Sequence, residues 1–182
     1  MKKRCLACVL LLALAVLPAA ARADVVAFPG MGPEPAEETA AFDELYAGDF
    51  VDFDPAYAHA LEGSVEAALW PYPGAAEPLG GLTQVDYSAD VLSPCYVDSA
   101  GQFWGYARYI YGYRFVWICL SDPAGTSVEP DQAVIDRVET RVAELETAQR
   151  TQLILAAVLV AAVVAVTLVL IIKLRKRVRQ AD

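Results

Sequence analysis

Two long apolar runs stand out along the chain, one near each end. Residues 5–21 carry no charge and follow a short cationic start. Residues 153–172 are also uncharged, and as a helix these 20 residues would extend roughly 30 Å, the thickness of a bilayer's hydrocarbon core. A cluster of cations follows the second run directly. The pattern predicts a signal peptide over residues 1–23 and one transmembrane helix over residues 152–173.

These two segments also predict an orientation. Pro18 interrupts the first run, and Ala21-Arg22-Ala23 has the small residues that a signal peptidase requires, which would make Asp24 the mature N-terminus. The alternative is an uncleaved anchor, which the short apolar core disfavours. Cations after a span face the cytoplasm. We therefore expect a plasma-membrane protein of type I, with residues 24–151 outside the cell and a basic cytoplasmic tail over residues 174–182.

Between the two runs the pattern changes twice. Residues 24–62 are acidic, begin with a Pro-, Glu- and Ala-rich stretch of little periodicity, and predict a flexible arm that ends in a turn or short helix. Residues 63–123 hold short runs of β-branched and aromatic residues, which are typical of strands. Turn signals at Asp98–Gly101 and around Gly112 predict two hairpins in a three-strand meander. This part is expected to form a mainly β domain.

Residues 124–151 predict a helical stalk that continues into the span. Pro130 suits the first turn of a helix. The apolar residues that follow are spaced as an a/d seam, and they are Ile135, Val138, Val142 and Leu145. Two interpretations stay open: the seam joins two copies of the chain in a coiled coil, so that stalk and transmembrane helix form a homo-oligomer, or it packs on the β domain.

The charge distribution and the lack of known site motifs argue against several classes of function. The whole chain has a net charge of −9, but the segment from Asp24 to Arg150 holds 22 acidic and 5 basic residues. A domain this acidic is not expected to bind nucleic acid or anionic lipid. His59 is the one histidine, and no sequence motif of a known catalytic, nucleotide or metal site occurs. We therefore predict no catalytic residue, no metal and no cofactor.

Two sets of residues are candidates for special roles. Cys95 and Cys119 are the two cysteines that remain after signal cleavage, and in an oxidising compartment they predict a disulfide worth roughly 3–4 kcal/mol. A domain of about 60 residues cannot bury every ring in its aromatic segment. The predicted ligand-binding set is Trp104, Tyr106, Tyr109, Tyr111 and Tyr113. The alternative places the tryptophans in the core and only the tyrosines at the surface.

The aromatic segment also resembles a known family. The string Gly101-x-x-Trp104-Gly105-Tyr106-x-x-Tyr109, with Gly112 and then Trp117-Ile118-Cys119-Leu120 and Asp122-Pro123, is similar to the end of bacterial SH3-like domains on exported proteins. Gly63-Ser64-Val65 and Pro73-Gly74 resemble the opening strand and first loop of that family. The chain departs from the family at Phe115-Val116, where a glycine is common. The resemblance covers residues 63–123 and implies a small SH3-like β-barrel with a binding role toward cell-wall or protein ligands.

Together these features predict a cell-surface, single-pass membrane protein that is not an enzyme. It would display a disulfide-linked SH3-like module for an extracellular ligand or partner protein. The alternative is a structural or assembly subunit of a membrane complex, which acts through its stalk and transmembrane helix.

Overall fold

The computed structural model describes Gly32 and residues 34–179, with the backbone alone over 174–179. In chain order the elements are α1 (Glu37–Tyr46), β1 (Val65–Leu69), β2 (Gly80–Val85), β3 (Cys95–Val97), β4 (Phe103–Ala107), β5 (Val116–Cys119) and α2 (Gln132–Arg179). Short 3₁₀ turns lie at Ala47–Asp49, Pro55–Tyr57 and Ala89–Val91. The predicted signal peptide lies outside the described residues.

The strands form two small antiparallel sheets, β1-β2 and β3-β4-β5. Trp70 and Trp117 exchange two backbone hydrogen bonds of 2.9 Å, which place β1 beside β5. At the other edge, Val51 pairs with Cys95 on β3. Among the described strands no pairing links β2 to β3, so the sheet closes no barrel. The fold is mixed α/β and not the mainly β, SH3-like barrel that we predicted, because two helices supply one layer of the core.

Both predicted hairpins of the meander are confirmed. In the first, Asp98 Oδ1 accepts hydrogen bonds from the backbone N–H groups of Ala100 and Gln102, and Asp98 Oδ2 accepts one from Trp104 Nε1 at 2.8 Å. The Asp98 carboxylate therefore fixes the turn and also accepts the hydrogen bond of the buried Trp104 indole N–H. The second hairpin joins β4 to β5, and its outermost pair is Ile110 with Tyr113.

The core lies on both faces of β4 and β5, whose residues are all buried. On one face an aromatic cluster includes Trp104 and Trp117 and continues into the two helices. On the other face an aliphatic cluster includes Leu69, Leu92 and Ile118. Because successive residues of a strand point to opposite faces, the two central strands supply side chains to both clusters.

Ordered structure begins inside the predicted flexible arm. Helix α1 buries Phe42 completely. The Phe42 ring lies 5.4–5.7 Å from the rings of Tyr72, Tyr96 and Trp117, measured between centroids. The arm has little periodicity overall, but Phe42 packs α1 on the sheet together with the buried residues Thr39, Ala41 and Tyr46.

Helix α2 is one unbroken helix of 48 residues, about 72 Å long. It begins behind Asp131, whose Oδ1 accepts the N–H groups of Ala133 and Val134 and caps the first turn. Ile135 and Val138 are buried in the aromatic cluster and Val142 packs against it, so this part of the seam packs on the domain, whereas Leu145 is 37% exposed. The later part of α2 is long and apolar enough to cross a membrane.

The predicted disulfide is wrong, since Cys95 and Cys119 are free buried thiols. Cys95 on β3 pairs with Gly105, and Cys119 on β5 pairs with Trp104, so β4 lies between the two cysteines. Two strand spacings are about 9–10 Å, beyond the roughly 7 Å that a disulfide spans between Cα atoms. Because Gly105 and Trp104 are neighbours in one strand, the two thiols also point to opposite faces and into different clusters.

Candidate binding surface

The structure divides the predicted aromatic set between core and surface. Trp104 and Tyr106 are buried on β4. Tyr109 and Tyr111 are 58% and 54% exposed, and Tyr113 is partly buried. The three tyrosines lie together in the loop of the β4–β5 hairpin, residues 108–115, which we call the tip. They are the members of the predicted set that a ligand can reach.

The tip is held by its own backbone and by one buried side chain. Ile110 is fully buried, and its N–H and C=O groups each bond to Tyr113 at 2.9 Å. Tyr111 has φ = 45° and Phe115 has φ = 56°, left-handed conformations that bulky residues rarely adopt. Such strain persists where the surrounding contacts fix the backbone, and it is common at binding sites. The tip therefore presents its side chains from a defined backbone.

Contacts with neighbouring groups fix the direction of the exposed rings. The Tyr111 hydroxyl donates to the Asp86 carbonyl at 3.2 Å, and the Tyr111 ring meets Tyr87 edge to face at 6.4 Å. The guanidinium of Arg114 lies 5.8 Å from the centroid of the Tyr109 ring, within cation–π range. The tyrosines at the tip are thus oriented rather than free, which lowers the entropy cost of binding.

The charge of the tip is opposite to that of the domain. Residues 34–131 contain 17 acidic side chains and two basic ones, Arg108 and Arg114, both exposed at the tip. Within the described part of the chain neither arginine forms an ion pair, whereas Arg141 pairs with Glu44 on α1 and with Glu144. Sequence reasoning missed these arginines because it counted charge over the whole segment. The local signal for them was the run Arg108–Arg114, in which every second residue between the two arginines is a tyrosine.

Other polar groups serve the fold. A cavity of about 110 Å³ lies between the β3–β4 turn and the start of α2, and its lining includes Asp98, Gln102 and Asp131. Asp98 fixes the turn and Asp131 caps α2, while the Ser99 hydroxyl, which donates to Asp131, helps to hold the pKa of Asp131 below its usual value. Across the residues the structure describes, no three or more His, Cys, Asp or Glu side chains are grouped to hold a metal ion.

The tip is therefore the one candidate in which exposed aromatic rings, unpaired cations and a fixed backbone coincide within the described residues. Comparison with protein-family models, with curated proteins and with solved structures finds no match to this chain.

Proposed function

We propose that this chain is a cell-surface binding protein, anchored by α2 and exposing the tip to an extracellular partner that carries anionic groups. The observation that carries the proposal is the coincidence at one hairpin of both cations of an acidic domain with its exposed tyrosines. The positive-inside rule supports an external domain.

Physical chemistry favours the tip as a contact surface. Arginine and tyrosine are enriched at interfaces and among the residues that dominate binding energy. A guanidinium binds carboxylate or phosphate through paired hydrogen bonds, and an aromatic ring beside it supplies apolar contact. The surrounding acidic surface would repel an anion at long range. Salt screens that repulsion beyond roughly 8 Å, so the direct contacts at the tip decide affinity.

The test measures binding of two anionic polymers to the full-length protein in lipid nanodiscs. Polyglutamate represents acidic protein segments, poly(glycerol phosphate) represents cell-wall polymers, and neutral dextran is the blank. Since a hydrogen bond to a charged group contributes about 1.5–3 kcal/mol, the double variant R108Q/R114Q should bind at least about tenfold more weakly. Fluorescence anisotropy of labelled polymer gives the affinities.

Arg150→Gln is the matched control, since it removes one exposed positive charge from α2 without touching the tip. The variant Y109S/Y111S should keep the circular dichroism spectrum of the parent and also bind more weakly. Equal affinity of R108Q/R114Q and the parent, or no binding of the parent to either anionic polymer, would reject the proposal. If the chain acts only as an assembly subunit through its stalk and span, neither R108Q/R114Q nor Y109S/Y111S should change polymer binding.

A further inference from the structure

Helix α1 lies across the strands that carry the tip. Phe42 contacts the rings of Trp117 on β5 and Tyr96 on β3. Glu44 on the same helix accepts two hydrogen bonds from Arg141 on α2. The helix thus ties the base of the β4–β5 hairpin to the first turns of the long helix.

The buried side of α1 is poorly matched to the surface on which it lies. Thr39 Oγ1, Asp43 Oδ1 and Trp117 Nε1 are buried without a hydrogen-bond partner, and they are three of the four such side-chain atoms in the described part of the chain. A buried polar atom that makes no hydrogen bond destabilises the arrangement that buries it. The helix also begins at Ala36 without a side-chain cap. These unpaired groups therefore make the docking of α1 less stable than the buried Phe42 side chain alone would make it.

Asp43 brings a carboxyl group into this aromatic contact. Burial raises the pKa of Asp43 from 3.8 to about 6, and the nearby Tyr106 hydroxyl and Trp117 N–H offset part of the effect. In turn, burial and the Asp43 charge raise the pKa of Tyr106. At neutral pH the docked helix therefore holds a partly buried carboxylate whose Oδ1 atom is buried without a hydrogen-bond partner.

The other charged groups around this contact are few. Arg108 lies near the Tyr106 hydroxyl on β4. The charges of Glu38 on α1 and Glu139 on α2 act on Tyr72, whose ring stacks on Phe42, and with burial they raise its pKa. The Glu44–Arg141 pair lies at the exposed edge between the helices. None of these groups supplies a cation to the Asp43 carboxylate in the way that Arg141 does to Glu44.

A short hinge follows the helix. Ala47–Asp49 form a single 3₁₀ turn, and the space around Gly48 is open. Val51 is then fixed by two backbone hydrogen bonds to Cys95. Because the fixed point lies beyond the 3₁₀ turn, a release of α1 would not require Val51 to leave β3.

We infer that α1 is a proton-operated latch on the tip: it is held on the sheet when the Asp43 carboxyl is neutral and released when that carboxyl is charged. The local part of this inference stands on the α1 contact alone, and its consequence for binding rests on the proposed function. Tyr106 and Trp117 lie on the two strands that end in the tip, and Phe115 within the tip packs on the same cluster. Release of α1 would therefore loosen the base of the binding surface.

The sign follows from the raised pKa. A carboxyl group whose pKa is higher in the docked than in the free state stabilises docking fully below its free pKa and loses that contribution as the pH rises through its docked pKa. Docking should therefore be strongest below about pH 3.8 and weakest above about pH 6. Between pH 5.0 and 7.5 the population of released α1 should rise about tenfold.

Hydrogen–deuterium exchange of the full-length protein in nanodiscs, without any ligand, tests this directly. After correction for intrinsic exchange, peptides covering 37–46 should lose about tenfold in protection from pH 5.0 to 7.5, while β4 peptides change little. Asp43→Asn should abolish this pH step. Thr39→Val, which removes an unpartnered hydroxyl, should raise protection at both pH values and keep the step.

An equal α1 protection at the two pH values in the parent chain, or an undiminished step in Asp43→Asn, would overturn the latch. If Asp43→Asn does not fold, the parent chain still decides, because the absence of a pH step there is sufficient to reject the latch. Since no ligand is present, failure of the latch leaves the polymer-binding result of R108Q/R114Q untouched, and the reverse also holds.

Discussion

At the scale of single residues, the cysteines show how far spacing along a chain is from proximity in space. Cys95 and Cys119 close a plausible loop in the sequence, yet β4 runs between them and they face different clusters. Gly105, opposite Cys95, has no room for a side chain, since an added Cβ would lie 2.9 Å from Leu92 Cβ. The cysteines act here as small, buried apolar side chains in tightly packed strands.

We predict that both thiols are unreactive in the folded protein. Burial raises the pKa of each thiol to about 11, so the reactive thiolate is scarce at pH 8. Peptide mass spectrometry after iodoacetamide treatment without reductant should find Cys95 and Cys119 unmodified under native conditions and both alkylated in urea. A peptide pair joined through these two residues would contradict the free-thiol structure.

The residues of the binding surface could be predicted only in part. The sequence predicts Tyr109 and Tyr111 as surface residues because the core of a small domain has too little volume to hold every aromatic ring. The same argument could not separate them from Trp104 and Tyr106, because the pairing of strands decides which ring faces inward. The sequence places Arg108 and Arg114 on either side of the tyrosines, but only the folded structure shows that both are exposed and, within the described residues, form no ion pair.

At the scale of elements, local signals predicted the strands and failed for α1. Turn residues and aromatic runs mark β3, β4 and β5 clearly, and the hairpins follow from them, while Pro130 and the apolar spacing mark α2. Barrel closure depends on whether β2 meets β3, a contact between distant strands that no local pattern reveals. Helix α1 has a short and weak apolar side, so its docking depends on tertiary contacts with Phe42 rather than on its own periodicity.

This reading of α1 predicts a sharp difference between two apolar residues three positions apart. Phe42→Ala should lower the free energy of unfolding by about 3–5 kcal/mol, because the ring is fully buried among four others. Leu45→Ala should change it by less than about 0.5 kcal/mol, since Leu45 is 41% exposed. Urea titration at pH 5.0, followed by tryptophan fluorescence, measures both.

Similar small effects of the two substitutions would mean that residues 37–46 are the flexible arm predicted from composition. A large effect of Leu45→Ala would show that the face of α1 carrying Leu45, rather than the face carrying Phe42, packs on the sheet. The comparison therefore tests the orientation of α1 as well as its presence.

At the scale of the whole molecule, α2 is one continuous helix: its first turns pack on the domain and its later part is the apolar stretch. Val142 is the last residue of α2 that packs on the aromatic cluster, and the uncharged run begins at Leu153. The 10 residues between them separate Val142 from Leu153 by about 16 Å along the helix axis. With no break in the helix over this distance, the proposed membrane anchor sets the height of the domain above the bilayer as well as holding it there.

The orientation of that helix is the last prediction, and it decides on which side of the membrane the tip acts. A chain with Ala100→Cys, in the exposed β3–β4 turn, should react with a membrane-impermeant maleimide on intact cells. A chain with Asp182→Cys should react only after permeabilisation, because cations that follow a membrane span favour the cytoplasmic side. The unsubstituted chain gives the background, which should be low because Cys95 and Cys119 are buried. Labelling of the C-terminal cysteine but not of the turn cysteine on intact cells would put the tip inside the cell, and a binding role toward extracellular partners would then fail for the entire molecule.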